Sequence, residues 1–138
     1  MKDKTDGEDA QIDPMGRRMY EEVLQKSVQE GGNAPSLVGV REFTLNHLFA
    51  KVWSRSLDVS DEKPGLTLKE RRLITIALLA AQGRNDQLKE HIRGACRAGI
   101  PKEVLLELML HLAHYAGWPA GASGQATVQS VYQGENSS

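Results

Sequence analysis

Apolar residues recur at three- and four-residue spacing along most of this chain, and none of its segments alternates apolar with polar over a useful length. The pattern therefore predicts helices and no strands. Pro14 opens a first helix, MGRRMYEEVLQKSVQE, with Met15, Met19, Val23 and Leu24 on one side. The glycines and proline of EGGNAPS, Glu30 to Ser36, break it. A second helix is expected from about Leu37 to Trp53, with Phe43, Leu45, Leu48, Phe49 and Val52 as its apolar set. The stretch from Ser54 to Thr67 reads as a loop around Pro64-Gly65. Thr67 and Glu70 have the spacing of a capping box and open a third helix running to about Gln82, with Leu73, Ile74, Ala77, Leu78 and Ala81 inside. Gly83 is a natural stop. Asn85 or Asp86 caps a fourth helix that passes Leu88, His91, Ile92 and Ala95 and ends at Gly99. Pro101 suits the first turn of a fifth helix, KEVLLELMLHLAHYA, apolar on much of its circumference and so the expected centre of the core. Gly117 ends it, and Pro119 starts a last, weaker helix of small residues, Ala120 to about Val131.

Together these elements predict an all-α fold, a compact antiparallel domain of about six helices over residues 14–138, behind a polar tail at residues 1–13. At 138 residues the chain is long enough for one core without a staple. Its one cysteine, Cys96, excludes an internal disulfide and fits a reducing cytoplasm, the expected location. The N-terminus carries no apolar run of the kind a secretory signal needs, and no apolar stretch approaches the length of a membrane span. Net charge is −1 and aromatic content 5%, so neither the basic face nor the stacking platform of a nucleic-acid binder is present.

The segment from Leu66 to Val128 concentrates the chemistry. Glu70, Arg71, Arg72, His91 and Arg93 stand at helical spacing among apolar residues, an arrangement suited to a polar pocket between helices. A histidine titrates near neutral pH, and guanidinium groups pair with carboxylates in bidentate fashion. Each residue also has an ordinary structural reading. Glu70 serves the capping box, Trp53 the core, and Tyr115 and Trp118 the packing of the YAGWP turn, while any single arginine suits a surface ion pair. Glu107, His111, His114 and Trp118 share one helix face, but no fourth metal ligand is evident, so no metal is expected. Cys96 follows no activating pattern.

The pieces FAKVWSR, PGLTLKERRLITIALLAAQGR, EHIRGA and AGIPKEVLLELMLHLAHYAGWPA, in that order, resemble the carboxymuconolactone decarboxylases of the alkyl hydroperoxidase D-like superfamily, across about Arg41 to Val131. The resemblance implies a homotrimer or homohexamer with sites near subunit contacts. It implies a cofactor-free enzyme that decarboxylates 4-carboxymuconolactone to the β-ketoadipate enol-lactone in protocatechuate catabolism. His91 would be proton donor or oxyanion stabiliser, and Glu70, at the relay glutamate of the peroxidase relatives, its partner. Arg71 and Arg93 would hold substrate carboxylates, Arg55 and Trp53 would line the site from the WSR motif, and Tyr115 and Trp118 would touch the substrate. Two departures bear on activity. The peroxidase Cys-x-x-Cys is replaced by GRNDQLKEH, which removes the dithiol that peroxide reduction needs. Decarboxylases of the family commonly pass directly from WSR to PGL, whereas this chain has SLDVSDEK, Ser56 to Lys63, between them. The insertion leaves open another lactone or keto-acid-like substrate, and a non-enzymatic oligomeric binding module is the remaining alternative.

Overall fold

A computed structural model describes residues 12–28 and 39–137. Among these, every regular element is helical and no strand occurs, as the apolar spacing predicts. The elements are α1 (Pro14–Leu24), α2 (Val40–Phe43), a π-helix (Thr44–Val52), a 3-10 helix (Trp53–Asp58), α3 (Leu68–Ala81), α4 (Asn85–Arg97), α5 (Lys102–Ala116) and α6 (Trp118–Asn136). By contact density the described residues fall into two units. The first holds residues 12–22, 26–28 and 39–68, and the second residues 23–25 and 69–137. The expected tail lies outside the described residues through position 11.

In the first unit, Asp13 caps α1: its carboxylate accepts the Met15 N–H at 2.8 Å, while its own N–H donates to Asn46 Oδ1 at 2.8 Å. The helix stops at Leu24 rather than Glu30, because Gln25 adopts a left-handed φ of 54°. Gly16 lets the two backbones meet closely, since a Cβ there would collide with the Leu45 carbonyl. The expected second helix is present from Val40, but its hydrogen bonding changes along its length. It passes from α to π at Thr44 and to 3-10 at Trp53, extending helical backbone to Asp58 where a loop was expected. Leu45, Phe49 and Trp53, four apart, are all buried. A spacing of four keeps them on one face in α and π turns alike. Phe49 is packed edge-on by Tyr20 at 5.3 Å and stacked on Trp53 at 5.9 Å. The 54–67 segment then folds on itself: Ser56 Oγ donates to the Leu66 carbonyl at 2.8 Å, and Ser60 and Lys63 exchange backbone hydrogen bonds.

The second unit is regular. Helix α3 begins directly after Thr67 and puts Glu70 in its first turn. It ends where Gly83 takes φ 68°, with Arg84 N–H returning to the Leu79 carbonyl at 3.0 Å. The residue at the N-cap of α4 is Arg84, not Asn85 or Asp86, and no side chain caps there. At the other end Gly99 takes φ 87° and Ile100 N–H bonds the Ala95 carbonyl at 3.0 Å, which seats the buried Ile100 side chain. Pro101 stands at the N-cap of α5, one residue outside the helix, with extended ψ 142°. The core joins all four helices: Ile76 and Ala80, Leu88 and Ile92, Leu105 and Met109, Val128 and Tyr132. Helix α6 starts earlier and ends later than its weak propensity predicts, because its glycines fit it against α5. A Cβ on Gly121 would lie 2.5 Å from that of Ala113, and one on Gly124 would strike Met109 Sδ.

Candidate active site

The inward stripe of α3 runs Arg72, Ile76, Ala80. Glu70 lies off that stripe and is exposed, and Arg71 is half-buried. On α4, His91 comes three residues after Leu88 and four before Ala95, both buried, so it sits at the edge of the inward stripe and is itself half-buried. The second unit thus carries Glu70, Arg71 and His91 on two helices that share one core. Trp53 and Arg55 belong to the first unit: Trp53 is 4% exposed and stacked on Phe49, and Arg55 is exposed on the 3-10 helix.

Two of the arginines have definite structural partners. Arg72, 3% exposed, donates from Nη1 to the Val23 carbonyl. A buried guanidinium needs such partners, because desolvation without them is costly. Arg93 donates from Nη1 to Glu90 at 2.8 Å, and its Nε lies 3.4 Å from Glu135. Glu135 is also gripped by Arg97 through Nε and Nη2, at 2.8 and 3.2 Å. The hydrogen bond from Arg97 holds the Glu135 carboxyl below its ordinary range, against a smaller opposing effect of burial. Arg93 further lines a shallow open groove of about 330 Å³ with Asp86, Gln87, Lys89 and Glu90. Sequence reasoning did not single out Glu90, Arg97 or Glu135. The Glu90–Arg93 spacing was available as a signal; Glu135 lies in no motif.

At the junction of α5 and α6, Tyr115 is 83% and Trp118 66% exposed. Gly117, with φ 103°, turns the chain between them. His111 packs on Tyr115 at 5.1 Å, and His114 Nδ1 bonds the Leu110 carbonyl at 2.9 Å. Among the described residues, no three His, Cys, Asp or Glu side chains are arranged to hold a metal ion. Burial first, then Glu135, pushes the Cys96 thiol above its ordinary pKa, with Arg97 opposing, which disfavours the reactive thiolate. Tyr132, buried and donating to the Ile100 carbonyl at 2.5 Å, is raised to about 12, chiefly by desolvation.

These features define an all-helical protein that presents ionisable side chains along the edges of a packed four-helix core. The model of the carboxymuconolactone decarboxylase family matches residues 40–126, and the chain belongs to that family. It is similar to a 4-carboxymuconolactone decarboxylase of Acinetobacter baylyi, 37% identical over 93 residues, which are 67% of this chain and 63% of that protein. It is also similar to a nitrosuccinic acid decarboxylase of Metarhizium robertsii, 31% identical over 133 residues, 89% of this chain and 87% of that one. A third relative, an uncharacterised 15.0 kDa protein of Paracoccus denitrificans, is 33% identical over 76 residues, 54% of this chain and 57% of its own length. No helix among the described residues is long and apolar enough to cross a membrane.

Proposed function

We propose that this chain is a cofactor-independent decarboxylase of a carboxylated lactone, with 4-carboxymuconolactone as its substrate, acting in the cytoplasm. The observation that carries the reading is the 37% identity to the Acinetobacter decarboxylase over 93 residues, beside the family match at residues 40–126. In that reaction the bond from the ring carbon to its carboxylate breaks and carbon dioxide leaves. The electron pair passes through the ring double bond onto the lactone carbonyl, giving a 2-oxyfuran anion. A proton delivered to the carbon beside that carbonyl completes the enol-lactone. The substrate is its own electron sink, so the protein needs only to bind it, stabilise the oxyanion and supply a proton. Within the second unit, His91 is the donor with Glu70 as its partner, Arg71 and Arg93 bind the carboxylates, and Tyr115 and Trp118 contact the substrate; in the first unit, Arg55 and Trp53 are the substrate-binding candidates. A placed acid contributes about 10²–10⁴ in rate, and each oxyanion donor about 10²–10³.

Assembly as a homotrimer or homohexamer belongs to the same proposal. Tyr115 and Trp118, with Leu78 at 55% and Leu110 at 42% exposure, are apolar surface of the kind that subunit contacts cover.

A second substrate is favoured by one observation. The Metarhizium relative matches 89% of this chain, more than the Acinetobacter one does. In nitrosuccinate the nitro group takes the place of the conjugated lactone as electron sink, so the demands on the protein are the same. Parallel assays decide: purified protein is given each compound, and lactone chromophore loss or carbon dioxide release is followed. Turnover of the lactone supports the first reading, and turnover of nitrosuccinate alone supports the second. Neither, with the oligomer intact, rejects both.

A further inference from the structure

Three groups from two helices converge on the backbone of three consecutive residues. Arg72 of α3 donates to the Val23 carbonyl. Arg97 of α4 donates from Nη1 to the Gln25 carbonyl at 3.0 Å. Between them Gly94 of α4 gives up its side chain: a Cβ there would collide with the Val23 carbonyl and stand 3.1 Å from Leu24 Cα. Val23 is fully buried and Leu24 is 8% exposed. The last carbonyls of a helix have no partner within it, and α1 ends at Leu24, so the guanidinium of Arg72 satisfies a group the helix leaves open. Gln25, at φ 54°, aims its own carbonyl elsewhere, and Arg97 takes it.

His91 lies one helical turn before Gly94, three residues apart on the same helix surface. From Gly94 the seat continues to Arg97, whose remaining nitrogens hold Glu135, and Glu135 in turn meets Arg93. The turn of α4 that follows His91 is therefore fixed from two sides, by residues 23–25 and by α6.

We propose that Val23–Gln25 is a strap, and that Arg72, Gly94 and Arg97 are positioning residues that seat it so as to hold α4, and with it His91, in register for proton delivery. This rests on the role given to His91 above. The seat grips the strap through backbone atoms, while the buried Val23 and Leu24 side chains anchor it in the core.

The test compares Arg72→Met, which keeps the length and removes the donors, with Arg72→Lys, which keeps a charge and a donor. Two quantities are read on the full chain: kcat and KM with 4-carboxymuconolactone, and the ring-proton resonances of His91, assigned against His91→Gln. Arg72→Met is expected to lower kcat at least tenfold with KM within about threefold, and to move the His91 resonances; Arg72→Lys is expected to recover most of both. Should Arg72→Met not fold, Arg97→Gln at the exposed end of the seat decides by the same two readouts, with a kcat loss of several-fold expected. Unmoved His91 resonances in the folded variant overturn the strap. So does an equal loss in Met and Lys variants. A wild type inactive on both candidate substrates rejects the decarboxylase reading instead, and the His91 resonances alone then judge the strap.

Discussion

The two units of this chain reach burial by different means. In the second, α3 to α6 are plain α-helices, the first three ending at positive-φ glycines, and the core is dense enough that glycines at 121 and 124 are required for α6 to lie on α5. In the first, the hydrogen-bond pattern shifts from α to π to 3-10 within residues 40–58, and aromatic packing of Tyr20, Phe49 and Trp53 takes the place of a continuous aliphatic core. The contrast teaches that glycine stops and close helix contacts give the second unit regular helices, and that unit carries His91. The irregular unit also carries Ser56 to Lys63, the segment read from the sequence as an insertion.

The contrast can be broken most severely at its aromatic and sulfur anchors. Phe49→Ala should cost about 3–5 kcal/mol and Met109→Ala about 2–5 kcal/mol, because both side chains are buried and leave cavities. Phe43→Ala, one turn and a half before Phe49 but 75% exposed, should change stability by less than about 0.5 kcal/mol. Urea unfolding of the three variants checks the ranking, and similar losses at Phe43 and Phe49 would remove the basis for the aromatic account. Tyr132→Phe should cost about 1 kcal/mol, since it leaves the Ile100 carbonyl without its donor; thermal unfolding reads this.

A smaller effect sharpens the picture of the second unit. Because Arg97 holds the Glu135 carboxyl below its ordinary value, the ion pair's contribution is complete above the unfolded carboxylate range. It is lost as pH falls through that range and below the folded value. The groups are partly exposed, so Glu135→Gln should cost about 1 kcal/mol or less at neutral pH. The difference between variant and wild type should shrink as pH falls from 6 toward 3, as measured by urea midpoints. A difference that grows on acidification would contradict the assignment. Smallest of all, Lys63→Ala should be neutral within about 0.5 kcal/mol, its contact with Asp58 being long and exposed.

Much of the second unit was legible in the sequence. Gly83, Gly99 and Gly117 read as stops, and each adopts positive φ at the end of a helix. On α4, the spacing puts Leu88 and Ile92 inside, and both are buried. The face expected for α3 is wrong: Ile74, Leu78 and Ala81 are exposed and Arg72, Ile76 and Ala80 point inward, because a helix apolar on most of its circumference does not show by spacing which side is buried. What escaped has physical causes. Over the nine residues of the π-helix, apolar positions four apart fit α and π turns alike, so the change of hydrogen bonding was invisible. Helix α6 looked weak because glycine and alanine are judged by propensity, whereas close approach to α5 is what selects them. At the site, the EHIRGA segment drew attention to His91 and Arg93 from the sequence. The partners of Arg93 and Arg97 did not stand out, because Glu135 lies 38 residues beyond Arg97 and joins it only through the packing of α6 on α4.

The central proposal is that His91, on α4 of the second unit, delivers the proton of the decarboxylation. It is tested most directly by the kcat of His91→Gln with 4-carboxymuconolactone, beside wild type, at matched thermal stability. The account predicts wild-type turnover and a variant slower by about 10²-fold or more. A variant that is as fast as wild type would contradict it.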